Sequence, residues 1–106
     1  MDTPYIIVLV TAKDKKQAQN IAKGLLEAKL IACANIIGGV RSLFWWQGKI
    51  DSSNEVLLVL KAPKALFKKI VTKVKSLHSY QTPEIISLPI VKGSEDYLKW
   101  ISSSCA

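Results

Sequence analysis

The chain of 106 residues is poor in the residue types that build metal centres and disulfide frameworks. It has two cysteines, one histidine and one methionine. Cys33 lies in an apolar stretch and Cys105 is the penultimate residue, which excludes the dense disulfide framework of small secreted domains. Because His78 is the only histidine and no CxxC motif accompanies it, a zinc-type site within one chain is not expected.

Candidate catalytic groups are equally scarce. A Ser-His-Asp or Cys-His arrangement has only His78 to serve as its base, and no Gly-x-Ser-x-Gly motif is present. An acylphosphatase-type enzyme would need an arginine and a Gly-rich anion loop directly after the first strand. The loop at 11–14 reads Thr-Ala-Lys-Asp, and the single arginine is Arg41. We therefore expect a protein that is not an enzyme and requires no cofactor.

Long hydrophobic runs are also missing at the start of the chain. The first apolar run, Tyr5–Val10, has six residues and no basic segment before it. This run is too short for the core of a signal peptide or for a membrane span. The expected location is therefore the cytoplasm, with no membrane as a partner.

Acidic residues are few, with 8 Asp and Glu against 15 Lys and Arg, for a net charge of +7. The window 56–83 contains no acid at all, which raises the question of nucleic-acid binding. Its lysines flank the apolar arc of a predicted helix, where lysine stems usually cover the margin of a core. The strand at 56–60 lacks the aromatic residues on which RNA bases stack. Nucleic acid is therefore not an expected partner.

The first half of the chain predicts a strand, a helix and a long hairpin. Tyr5–Val10 is an aliphatic run typical of a strand buried on both faces. Asp14 and Gln17 have capping-box spacing, and apolar residues follow at helical intervals. Residues 32–62 predict one hairpin, with a bulge or bend at Gly38-Gly39 and a turn either at Gln47-Gly48 or at 51–54. The return strand is expected from about Glu55.

The second half predicts a helix, a short strand and a final helix. Pro63 ends the hairpin and opens a helix with one apolar arc, comprising Leu66, Phe67, Ile70, Val71, Val74 and Leu77. Pro83 introduces a strand at 84–91, in which Pro89 indicates an edge position. Ser94 is expected to cap a last helix with Tyr97, Leu98 and Ile101 on its inner face. The order β-α-β-β-α-β plus a C-terminal helix predicts a single α+β domain of residues 1–106, a ferredoxin-like split βαβ fold with its helices on one face of an antiparallel sheet.

The hairpin is longer than a single chain of this size can cover. An arm of some fifteen residues extends on the order of 50 Å at about 3.3 Å per residue. Its far end is apolar on both faces, through Leu43, Phe44, Trp45, Trp46 and Ile50. A protruding hairpin of this composition predicts an oligomer in which another copy covers it.

The remaining candidates for a binding site are large aromatic residues with polar groups. They either line a pocket beside Lys61 and Glu84 or pack at an interface between chains, and the residues alone leave both interpretations open. These aromatic residues are Trp45, Trp46, Tyr80 and Trp100.

Four segments of the sequence closely resemble the CutA family of divalent-cation tolerance proteins. They are Leu-Ile-Ala-Cys-Ala-Asn-Ile at 30–36, Ser-Leu-Phe-Trp-Trp-Gln-Gly-Lys at 42–49, Tyr-Gln-Thr-Pro-Glu-Ile at 80–85 with Leu-Pro-Ile at 88–90, and Tyr-Leu-Lys-Trp-Ile at 97–101. The resemblance extends from Ile6 to Ile101. It implies a ferredoxin-like fold assembled as an intertwined homotrimer, similar in architecture to the PII signal proteins. It also implies a non-enzymatic role in tolerance to copper and other divalent cations, or alternatively, as in animal members, a trimeric scaffold of the kind that anchors acetylcholinesterase.

The resemblance also implies two kinds of site. In bacterial members credited with copper binding, the ligands match Val10, Leu77 and His78 of this chain, so His78 is the one candidate metal ligand that is retained. A cleft between subunits is the second expected site, suited to a small anionic ligand because a lysine stands beside aromatic walls. Its expected residues are Trp46, Lys61, Tyr80, Glu84 and Trp100.

Overall fold

The computed structural model of the protein describes residues 3–106. Its four strands form an antiparallel sheet in the order β2-β3-β1-β4. The predicted α+β order with a C-terminal helix is confirmed. The elements in chain order are β1 (Tyr5–Ala12), α1 (Lys15–Glu27), β2 (Cys33–Trp46), β3 (Lys49–Pro63), a 3₁₀ turn (Lys64–Leu66), α2 (Phe67–Leu77), β4 (Ile85–Pro89) and α3 (Glu95–Ser104).

The hydrophobic core lies between the sheet and the first two helices. Even-numbered residues of β1 and β3, such as Val8 and its partner Leu60, are fully buried. They pack with Ile21 of α1 and Ile70 of α2 in one apolar cluster. Alternation along each strand places the odd-numbered residues on the opposite face.

That opposite face, here named the open face, is covered only in part. Ile7 and Leu9 of β1 are half-buried, so the prediction of a first strand buried on both faces is wrong for the single chain. The reason is that α1 and α2 pack against one face only. The aliphatic residues of the open face, as the register places them, are Ile7, Leu9, Ile37, Leu57, Val59, Ile86 and Leu88.

The hairpin turns at Gln47-Gly48, the first of the two predicted positions. Both residues have positive φ, 50° and 78°, as expected for a two-residue turn that follows the twist of its strands. The segment 51–54 is therefore strand, and β3 begins at Lys49 rather than near Glu55. The two arms have 14 and 15 residues, and the molecule is 44 Å long.

Of the bulge or bend predicted at Gly38-Gly39, the structure has the bulge, seen as a shift of register between Ile37 and Val40. Ile37 lies opposite Leu57, whereas Val40 lies opposite Glu55, so β2 has one extra residue. An extra residue reverses which alternate side chains of β2 point to each face. Beyond the bulge, the even-numbered residues of β2 lie on the open face, together with the odd-numbered residues of β3.

At the hairpin tip, strand alternation divides the aromatic residues between the two faces, and the bulge determines which of them lie on the side of the open face. Phe44 and Trp46 lie opposite Asp51 and Lys49, on the side of the open face. Leu43, Trp45 and Ile50 lie on the other side, beyond the helices, with exposed fractions of 69%, 74% and 67%. The tip is therefore apolar on both faces.

The start of α1 is fixed by Asp14, whose Oδ1 accepts a hydrogen bond from the backbone N–H of Gln17 at 2.8 Å. Gln17 reaches back as predicted, but its Oε1 accepts from the N–H of Lys13, one residue before the cap. Its Nε2 donates to Ser79 Oγ at 2.7 Å. The cap thus ties α1 to the segment that follows α2.

The second helix begins later than expected, at Phe67, because residues 64–66 form a 3₁₀ turn after Pro63. Ile70 and Val74 face the core as predicted, whereas Leu77 is 37% exposed. The strand β4 is shorter than predicted and lies at the edge of the sheet, as Pro89 indicated.

The third helix departs from the prediction that all helices lie on one face. Tyr97 Oη is 3.5 Å from Cys33 Sγ, and Ser102 Oγ is 2.7 Å from Tyr5 Oη, so α3 reaches residues of the open face. Ser94 is the N-cap residue, but its side chain makes no capping hydrogen bond. Ile101 is buried, whereas Tyr97 is exposed. Between residues 3 and 106, no helix is both long and apolar enough to cross a membrane.

Replacing Asp14 by Ala is expected to lower the free energy of unfolding by about 1 kcal/mol, because the N–H of Gln17 loses its acceptor. Guanidinium denaturation at a fixed protein concentration measures this change. Lys16→Ala is the matched control, since Lys16 is exposed on the same first turn. Equal midpoints for the two variants would contradict the capping role of Asp14.

Candidate functional site

The six predicted site residues do not form one site within a single chain. Trp46 lies at the hairpin tip, 52% exposed and opposite Lys49. Lys61 lies twelve residues further along β3 than Lys49, a distance on the order of 40 Å at about 3.3 Å per residue. A cleft that contains both Trp46 and Lys61 therefore requires residues from more than one chain.

His78 lies directly after α2, where both of its ring nitrogens are hydrogen-bonded to the backbone. Nδ1 accepts from the N–H of Tyr80 at 3.0 Å, and Nε2 is 2.7 Å from the carbonyl oxygen of Thr11. Because a carbonyl only accepts, Nε2 carries the proton and donates it. His78 thereby fastens the segment after α2 to the end of β1.

Tyr80 provides a second attachment to the sheet. Its hydroxyl donates to Glu55 Oε2 at 2.9 Å, and Glu55 is only 9% exposed. Burial, followed by the hydrogen bond and negative charge of Glu55, raises the pKa of Tyr80 to about 12. The hydroxyl therefore remains a donor to the buried carboxylate. We call Thr11, Glu55, His78 and Tyr80 the polar clip.

The residues of one chain do not fit a tight copper site. Among residues 3–106, no group of three or more His, Cys, Asp and Glu side chains could hold a metal ion. Val10, the position at which the resemblance implies a cysteine ligand, is an aliphatic residue buried in the core, and the side chain of Leu77 has no ligand atom. His78 can offer a nitrogen only by giving up one of its backbone hydrogen bonds.

Lys61 belongs to a second polar group, which lies near the C-terminal end of β3 on the open face. Its ammonium donates to Asn35 Oδ1, and Cys33 lies opposite it on β2. The Cys33 thiol contacts the hydroxyl of Tyr97, whose ring is 5.4 Å from that of Trp100. The hydrogen bond with Cys33, followed by burial, raises the pKa of Tyr97. Lys61 and Trp100 are thus parts of one region of the open face.

Sequence reasoning missed several members of these two groups. Cys33 and Asn35 alternate on β2, which is a signal that they share a face, but only the register with β3 places Lys61 beside them. Glu55 directly precedes the run of aliphatic residues at 56–60. An acid next to a buried strand segment indicates a buried carboxylate that has a hydrogen-bond partner. Glu84 is exposed, directly before β4.

Comparison with known proteins points to one family. Residues 6–104 match the family described as CutA1 divalent ion tolerance protein. The divalent-cation tolerance protein CutA of Thermus thermophilus is 42% identical over 95 residues, which cover 90% of this chain and 92% of that protein. The chloroplastic protein CutA 1 of Oryza sativa is 39% identical over 101 residues, 95% of this chain, and this chain spans 57% of its length.

Solved structures give the same result. The divalent cation tolerance protein of Thermus thermophilus superposes with a TM-score of 0.94 at 39% identity, covering 96% of this chain and 99% of that chain. CutA1 from Oryza sativa superposes with a TM-score of 0.95 at 38% identity, covering 98% and 95% respectively. Both comparisons confirm the resemblance predicted from the sequence motifs.

Replacing Tyr80 by Phe is expected to reduce the loss of unfolding free energy that occurs as the pH is raised into the alkaline range. The pKa of Tyr80 is raised from 10.0 to about 12, so the unfolded chain loses this proton at a lower pH than the folded protein does. The contribution of Tyr80 is therefore complete below pH 10 and is lost as the pH rises towards 12. Denaturation midpoints across that window measure the decline.

Tyr5→Phe is the control for this measurement, because it removes a hydroxyl bonded to Ser102 and leaves the polar clip intact. It is expected to keep the decline seen in the unmodified protein. The same decline in Tyr80→Phe would contradict the assignment to Tyr80.

Proposed function

This chain belongs to the CutA1 divalent ion tolerance protein family, and from that premise we propose that it acts as a homotrimer whose inter-subunit clefts bind a small anionic ligand. Tolerance to divalent metal ions is the function that the family name gives. In this proposal the protein is a single domain of residues 1–106, is not an enzyme, needs no resident cofactor and works in the cytoplasm. The main support is the separation of Trp46 from Lys61. Because both are expected in one cleft and lie far apart in one chain, the cleft must include residues of a second copy.

The homotrimer is supported by the extent of apolar surface that one chain leaves uncovered. On the open face, Ile37, Ile86 and Leu88 are 46%, 50% and 49% exposed. This surface continues along the hairpin to Trp46. Contiguous apolar surface of this kind is typical of an interface between chains. The number three and the PII-like arrangement come from the family resemblance.

The anionic ligand is supported by the group around Lys61. Its ammonium is held by Asn35 on the open face, and the rings of Tyr97 and Trp100 stand on the neighbouring helix. A fixed cation beside aromatic walls suits a carboxylate or phosphate with a flat body. Trp46 of another copy would close the cleft, with Tyr80 and Glu84 at its margin.

Direct binding of copper is the second candidate, because the single histidine lies at the position that the resemblance assigns to a metal ligand. With both ring nitrogens of His78 engaged, a metal must displace Tyr80 N–H or the Thr11 carbonyl, so the proposed affinity is low. Copper would then need further ligands from another copy, such as Glu84. Ligand sensing in the cleft needs no such displacement and is the preferred proposal.

Light scattering coupled to gel filtration is expected to give a mass of about three times 11.7 kDa. Leu88→Asp should shift the protein towards single chains, because it places a charge on the open face. Thr72→Asp is the control, since it adds the same charge on the exposed side of α2. A mass of one chain for the unmodified protein would overturn the homotrimer.

Lys61→Ala and Trp46→Ala are each expected to abolish metal tolerance while the oligomer persists, because each removes a cleft group from a different part of the chain. Growth on copper-containing medium of cells that lack their own CutA protein measures tolerance. Lys69→Ala, on the exposed side of α2, is the control. Full tolerance with both cleft variants would overturn the cleft and favour the scaffold role.

Calorimetry on the purified protein distinguishes direct copper binding from ligand binding in the cleft. Cu²⁺ is titrated into the unmodified protein and into His78→Ala, with circular dichroism as the check that the variant is folded. Saturable binding that is lost in His78→Ala would support the direct route. Absence of saturable binding, or binding that does not depend on His78, would exclude it.

A further inference from the structure

The two helices that cover the core hold most of the excess positive charge of the chain. The ranges Lys15–Glu27 and Phe67–Leu77 contain seven lysines and one acid, Glu27, whereas the rest of the chain contains eight basic and seven acidic residues. The seven lysines, here named the lysine layer, are Lys15, Lys16, Lys23, Lys68, Lys69, Lys73 and Lys75. Charge of one sign is therefore concentrated on one layer of the fold.

The structure brings lysines of both helices onto one surface. The two helices pack so closely that a Cβ at Gly24 of α1 would lie 3.7 Å from Cε of Lys73. Lys69 is one turn before Lys73 on α2, and Lys23 is next to Gly24, so lysines of both helices lie on either side of this contact. Lys73 is half-buried by it, and the other six lysines of the layer are exposed.

The lysine layer is not neutralised by acids of the same chain. Between residues 3 and 106, none of its seven members lies within ion-pair distance of an Asp or Glu side chain. The fold therefore holds several ammonium groups of like charge close together, at some cost in repulsion. A ligand that supplies several negative charges at once would relieve this repulsion.

Further copies of the chain are not expected to cover the lysine layer. It lies on the helix side of the sheet, whereas the uncovered aliphatic surface is the open face. Two copies that met through their lysine layers would place like charges against each other, which disfavours such a contact. The layer also contains none of the proposed cleft residues, so its ligand does not depend on the cleft.

We propose that the lysine layer binds inorganic polyphosphate, a flexible chain that carries a negative charge on each phosphate unit. A single ion pair at an exposed lysine contributes little to affinity, so the ligand must contact several lysines together. A linear polyanion does so, and each contact also releases counterions that had condensed along the polymer. The absence of an enclosing pocket is no obstacle to a ligand of this kind.

Nucleic acid fits the lysine layer less well than polyphosphate does. Neither helix contains Trp, Tyr, His or Arg, and the one aromatic residue, Phe67, is half-buried. Single strands gain much of their affinity from bases that stack on exposed aromatic rings, which this surface lacks. A duplex is stiff and presents its phosphates along fixed lines. Polyphosphate has no bases and can bend to follow lysines on both helices.

The test is a calorimetric titration of long-chain sodium polyphosphate into the full chain in its native assembly, at several salt concentrations. We expect saturable binding that weakens steeply as salt is added. Lys23→Gln combined with Lys69→Gln should weaken binding about tenfold by removing two contacts. It should also lower the slope of log affinity against log salt by about 1.4, at the value of about 0.7 per contact that holds for single strands.

Lys49→Gln combined with Lys92→Gln is the matched control, because it removes the same charge from exposed residues outside both helices. It should keep the affinity and the salt dependence of the unmodified protein. Equal weakening in the two double variants would overturn the proposal, since binding would then follow net charge rather than the lysine layer. Absence of saturable binding to the unmodified protein would overturn it as well.

Single-stranded and duplex DNA, measured as competitors at equal phosphate concentration, test the kind of polyanion. Both are expected to displace polyphosphate about fivefold less effectively than free polyphosphate does. Equal displacement by either DNA would overturn the assignment to polyphosphate.

Discussion

The pairing of β1 with β3 is the constraint on which the rest of this structure depends. Val8 opposite Leu60 places the even-numbered aliphatic residues of both strands under the helices. A slip of one residue would move all of them to the other face, and the core would be lost. The same register places Lys61 on the open face, opposite Ile7 of β1. The position of Lys61 in the proposed cleft therefore follows from this strand pairing.

In the polar clip, His78 has a structural role, because both of its ring nitrogens are hydrogen-bonded to the backbone. His78 and Tyr80 lie in a short segment between α2 and β4, which has no regular backbone pairing of its own. Backbone groups there need partners. The N–H of Tyr80 has Nδ1 of His78 as its partner. The side chains of His78 and Tyr80 then attach the segment to Thr11 and Glu55 of the sheet, and Gln17 adds a third attachment at Ser79. The orientation of Tyr80 is a consequence of these bonds.

The sequence predicts those features of the fold that depend on residues adjacent in the chain. Asp14 caps α1, the Gly38-Gly39 pair forms a bulge, and Pro89 lies at an edge, because each depends on neighbouring residues only. The partners of His78 and Tyr80 could not be predicted, since Thr11 and Glu55 are distant in sequence. The contact of α3 with the open face was missed for the same reason. Trp46 and Lys61 were predicted as site residues, but their separation depends on the turn at Gln47-Gly48, which the sequence left open.

The hairpin tip bears on the number of chains in the proposed assembly. Strand alternation divides this tip into two apolar faces, and the extra residue in β2 places Trp46 on the side of the open face and Trp45 on the other. A neighbour that covers one of these faces leaves the other in water. The proposed homotrimer, as a closed ring in which each tip is held between two neighbours, would cover both. Such a ring gains most of its stability at the last closure, so it would assemble and dissociate as a whole and leave pairs of chains sparsely populated.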